Sequence, residues 1–151
     1  MAVPVETPMT LPVRLVRRLV TVLALLALPT AWISGQTAPA PKTPSEAYTG
    51  YRAALLKAKT LDQVKPWLSK EAAAQMDSMP ADQRGMILGM IQEMSTAITN
   101  VKVTKETITG DKAVLEVQGT DTGDKSTKKA MVDVAREGGV WKFVKESWGS
   151  S

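Results

Sequence analysis

The chain has 151 residues, with 19 Lys and Arg against 15 Asp and Glu, a formal charge of +4, and neither histidine nor cysteine. Those absences exclude an imidazole base, a histidine-containing metal site, a disulfide framework and an acylated lipobox cysteine. Arg14, Arg17, Arg18 and Glu6 all precede residue 36, so 16 basic and 14 acidic side chains remain beyond it, and a charge of +2 gives no concentrated cation array for nucleic acid.

Residues 1–35 read as a signal peptide or an N-terminal membrane anchor. Three arginines are followed by the uncharged stretch Leu19–Ile33 and then by the run SGQTAPAPKTP. Basic, apolar and small-residue segments in that order suit export. The apolar stretch falls short of the roughly 20 residues of a spanning helix, which favours cleavage, with Gly35 or Ala38 as the residue before the cut. The expected location is periplasmic or secreted; retention of the segment instead gives an inner-membrane anchor with the domain outside the cytoplasm. Membrane association is accordingly transient or N-terminal. Residues 36–43, mostly Ala, Pro, Thr and Lys, form a linker.

Residues 44–149 form one domain with a modest core. Thr43, Pro44 and Glu46 make a helix start, a cap followed by proline at the first position and a carboxylate able to return a bond. Ala47, Tyr48, Tyr51, Ala54, Leu55 and Ala58 then mark one apolar face. Thr60 and Gln63 repeat the capping spacing before Leu61, Val64, Trp67 and Leu68, a short second helix that Pro66 bends or ends. Ser69 can cap another short helix, through Met76 or Met79. Ile87, Met90, Ile91, Met94 and Ile98 predict the longest helix, with Gly85 and Gly89 placed to allow close packing.

After Asn100 the period changes to two. Val101 and Val103 begin an alternation; Lys112–Gln118 reads as a strand with Ala113, Leu115 and Val117 on one face. A polar loop from Gly119 to Thr127 follows, then a strand with Ala130, Val132 and Val134 inward. Gly138 and Gly139 suit a hairpin into a final strand, Val140–Ser147, whose Trp141 and Phe143 share a face. Helices followed by an antiparallel meander define the α+β class.

The run TGDKAVLEV, the strand after it and EGGVWKFVKESW, preceded by helices opening at TPSEAYTGYRAAL, resemble the small exported domains of the NTF2-like superfamily, especially the DUF4878-type or lumazine-binding-like subset. The resemblance implies N-terminal helices packed on a curved antiparallel sheet, a cystatin-like cone with a pocket at its open end. Enzymes of that superfamily work through a pocket acid or base. Here Tyr48, Tyr51, Glu116 and Asp133 are the candidates, and none sits in a matching enzyme motif. Glu116 and Asp133 fall opposite the expected buried faces of their strands.

Tyr48, Tyr51, Trp67 and Trp148 are therefore taken as ligand-binding candidates, with no catalytic residue, metal site or cofactor expected. Met76, Met79, Met86, Met90 and Met94 fall at helical spacing and suit a soft core boundary. The favoured function is a noncatalytic exported accessory domain binding a small apolar ligand or an envelope protein. The alternatives are a lyase or isomerase using a pocket carboxylate, and a structural or quality-control envelope protein. Oligomeric state is not legible.

Overall fold

The computed structural model describes residues 40–149; the expected leader with its expected cleavage region, and the start of the expected linker, lie outside the described residues. The chain parts into two units, residues 1–37 and 38–151, and everything described belongs to the second. No helix among the described residues is long and apolar enough to cross a membrane.

Helix α1, Pro44–Lys57, starts as its sequence dictates. The Thr43 hydroxyl accepts from the Glu46 amide at 3.1 Å, and the Glu46 carboxylate accepts from the amides of Lys42 and Thr43. Its inner face buries Ala47, Tyr48, Tyr51 and Leu55. The expected second helix becomes two 3₁₀ turns, Leu61–Gln63 and Lys65–Trp67. Pro66 has no amide hydrogen to continue a helical ladder, which accounts for the break.

Ser69 caps helix α2, Lys70–Asp77, through the Ala72 amide at 3.1 Å. Helix α3, Arg84–Thr96, has 13 residues to the 14 of α1, so the expectation that it is the longest is corrected. Its apolar pattern is corrected too. Leu88 is the buried member, whereas Met86, Met90 and Met94 point outward. A Cβ on Gly85 or Gly89 would meet nothing, so neither glycine serves close packing. Ile98 belongs to the next strand.

Strands β1 (Ile98–Thr109), β2 (Lys112–Asp121), β3 (Thr127–Glu137) and β4 (Val140–Gly149) form one antiparallel meander in the order β1-β2-β3-β4. Strand β2 runs on to Asp121, so the expected loop shortens to residues 122–126. The β3–β4 turn places Gly138 and Gly139 at φ 57° and 82°, values that side chains resist and the hairpin requires. Ala113, Leu115, Val117, Ala130, Val132, Val134, Trp141 and Phe143 form the buried inner face, against which α1 packs.

The sheet is not curled, and the cone expected from the family resemblance is corrected. What forms is an α+β domain with an open four-stranded sheet under helices. The packing supplies a physical reason. Tyr51 stacks on Phe143 with ring centroids 3.8 Å apart, and Tyr48 lies 6.4 Å from the same ring, so aromatic mass fills the space above small Ala and Val side chains. Strong curvature needs repeated bulges across a sheet. Here the register shifts are confined to the β1–β2 pair and one place in the β3–β4 pair.

Candidate functional site

The single shift between β3 and β4 matters most. Asp133 pairs with Lys145 and Val134 with Phe143, which leaves Val144 as an extra residue. Such a bulge reverses the facing of every later side chain. Glu146 thereby comes to lie opposite fully buried Val132, and Trp148 opposite buried Ala130. Strict alternation from Trp141 and Phe143 would have turned both outward. The bulge adjoins a contact from far along the chain: the Ser69 amide donates to the Phe143 carbonyl at 2.8 Å, and Leu68 bridges Phe143 in parallel.

Glu146 and Trp148 border a cavity of about 370 Å³. Its apolar wall is Ile91 and Met94 from the end of α3, Ala97 and Ile98 from the junction with β1, and Trp148. Asp121 and Lys128 stand at its polar border. Gly119 makes this wall possible, because a Cβ there would lie 2.3 Å from Ile98 Cγ2 and 3.3 Å from Trp148 Cη2. The volume is within the range of small-molecule sites.

Glu146 is held from behind. Its Oε2 accepts from the Tyr48 hydroxyl at 2.9 Å and lies 3.9 Å from Arg52 Nη1. Arg52 Nη2 in turn donates to the carbonyls of Ser95 at 2.9 Å and Ile98 at 3.3 Å. The guanidinium therefore serves the free carbonyls where α3 ends through Nη2, while its buried Nη1 makes no hydrogen bond to a described residue and faces the Glu146 carboxylate at ion-pair distance only. Burial pushes the Tyr48 hydroxyl well above its usual pKa; the Glu146 charge adds to the shift and Arg52 opposes it. Tyr51 is pushed up for the same leading reason.

The four anticipated ligand residues do not converge. Trp148 lines the cavity, and Tyr48 lies behind it, joined to it through Glu146. Tyr51 is spent on its stack with Phe143, and Trp67 packs against Gly50 of α1, where an added Cβ would lie 2.0 Å from the ring. Glu116 and Asp133 sit on the outer sheet face in ion pairs with Lys105 at 2.9 Å and Lys145 at 3.4 Å. Glu146 is the residue that sequence reasoning missed. The available signal was the odd spacing of Phe143 and Trp148, which cannot share a strand face unless a bulge intervenes.

No family model, curated protein or solved structure matches the chain.

Proposed function

We propose that this protein is a noncatalytic exported accessory domain that binds a small apolar molecule in the cavity between the end of α3 and the end of β4. The observation that carries the reading is the apolar wall of Ile91, Met94, Ile98 and Trp148 around about 370 Å³. An aromatic ring beside aliphatic side chains offers a ligand area and shape, and displacing water from such a surface drives binding. Export rests on the order of segments in residues 1–35.

A second reading, an envelope-protein partner, is favoured by one observation. Met86, Met90 and Met94 are 73%, 55% and 64% exposed along one row of α3, an adaptable apolar surface.

Native mass spectrometry of the full chain, recovered gently from the envelope fraction of its host, separates the two. A small-molecule adduct that denaturation releases and that Trp148→Ala abolishes is the expected result. A protein adduct that survives Trp148→Ala and is lost with Met90→Asp would move the function to the outer face of α3.

A further inference from the structure

The exposed row of α3 has a pattern of its own. Gly85 stands beside Met86, Gly89 beside Met90, and Glu93 beside Met94, all six exposed. A Cβ added at either glycine would meet no atom, so each leaves a hollow next to a protruding methionine. Glycine in an exposed helix interior weakens the helix, and no contact within the chain asks for it here. Methionine is the side chain best able to shape itself to such a hollow.

The two ends of the row differ in charge. Helices α1 and α2 open on capping hydroxyls and an acidic residue, Thr43 with Glu46 and Ser69 with Glu71, whereas α3 opens at Gln83 with no side-chain cap and no acid in its first turn. Its first amides make that end positive, as does Arg84, whose guanidinium donates to the Met79 and Asp77 carbonyls. At the other end the exposed Glu93 carboxylate has no hydrogen bond or ion pair among the described residues. Asp82, the remaining charged side chain beside this row, lies in the turn before the helix.

We infer that this face of α3 pairs with the same face of a second copy of the chain, antiparallel about a twofold axis between Gly89 and Met90. That register sets Met90 against Gly89 of the second copy and Met94 against its Gly85, so knobs meet hollows, and the symmetry makes each contact twice. It also brings Glu93 against Met86 of the second copy, at the uncapped first turn beside Arg84, where a carboxylate is favoured. Asp82 reaches Ala97 of the second copy, beyond the matched run and away from Glu93. Shape and charge both complement the row itself, which is why a second copy is the occupant. One 13-residue helix offers less than the roughly 800 Å² per partner of a standard interface, so the pair is weak and the chain is a monomer at low micromolar concentration. Met94 also lines the cavity, and pairing covers that edge of it. The inference goes beyond the cavity assignment and does not rest on it.

Sedimentation velocity of the full chain from about 10 µM to about 1 mM should show reversible dimerisation with a dissociation constant of about 100 µM. Gly89→Leu fills the hollow without a clash inside its own chain and should weaken the pair at least about tenfold, whereas nonspecific apolar association would strengthen with the added side chain. Met90→Asp sets two carboxylates beside the axis and should abolish pairing. The register is read by disulfide trapping, since the chain has no cysteine of its own. An oxidised mixture of Met86→Cys and Glu93→Cys chains should give a crosslinked dimer, while either chain alone, its thiols about 10 Å apart along the paired helices, should give little. A dimer that survives both Gly89→Leu and Met90→Asp, or trapping as strong in either chain alone, overturns the inference. So does a monomer throughout the range, which returns the methionine row to a different protein partner. None of these outcomes bears on the cavity assignment.

Discussion

Two helices meet the same domain on different terms. Helix α1 buries Ala47, Tyr48, Tyr51 and Leu55 against the inner sheet face, while α3 buries Leu88 and Ser95 and leaves Met86, Met90 and Met94 exposed. The α1 side is filled by stacked rings and small side chains, with a space of about 110 Å³ beside Tyr48 and Arg52; the α3 side keeps one of about 370 Å³ open beside its last turn. Closed packing contributes stability, and the loosely covered end is where a molecule can enter with little rearrangement. The pair of helices therefore divides the domain into a scaffold and a candidate site, joined by Arg52 and Tyr48.

Substitutions can break that division. Leu115→Ala under α1, at a position with 0% exposure, should cost about 2–5 kcal/mol in urea unfolding, because the surrounding side chains cannot fully close the hole. Gly50→Ala drives a methyl group into the Trp67 ring and should cost about 1–3 kcal/mol, with a changed near-ultraviolet circular dichroism signal. Tyr48→Phe keeps the ring but removes the donor to Glu146; a loss of about 1–3 kcal/mol is expected in urea unfolding. At the far end of the scale, Met90→Ala on the exposed row of α3 should stay within about 0.5 kcal/mol. A Met90→Ala cost rivaling that of Leu115→Ala would erase the distinction between scaffold and site.

Alkaline pH sharpens the same comparison, since both of the chain's tyrosines lie on α1. Burial raises both hydroxyls above their ordinary value near 10, so the folded state favours the neutral phenol. The stability linked to this preference is intact below about pH 10 and declines above it, where unfolded phenols ionise and folded ones do not. Phenolate absorbance should therefore appear together with unfolding rather than before it. Tyr51→Phe, which preserves the stack on Phe143, should lessen the alkaline loss. Early, noncooperative titration of both tyrosines would show that α1 is not closed.

Local chemistry was legible in the sequence, whereas the site depended on distant contacts. Thr43, Pro44 and Glu46 announce the start of α1, and Gly138 and Gly139 announce the last hairpin, because caps and turns are decided within a few residues. The inward rows of β2 and β3 follow from simple alternation. Glu146 did not, because its facing is reversed by a bulge at Val144 beside a contact with Leu68 and Ser69, more than seventy residues earlier in the chain. The outward methionines of α3 carry the same lesson: helical spacing defines a face and leaves open which way it points. The cone failed for a related reason, since curvature depends on bulges and on how aromatic side chains fill the interior.

The central claim, that the end of α3 and the end of β4 border a site for a small apolar molecule, is tested most directly by methyl NMR of the full chain during titration with 2-phenylethanol. The account predicts saturable shifts at the methyl groups of Met94, Ile91 and Ile98, with those of Leu115 and Met86 unmoved. Shifts centred on Met86 and Met90, or none at Ile98 and Met94, would contradict it.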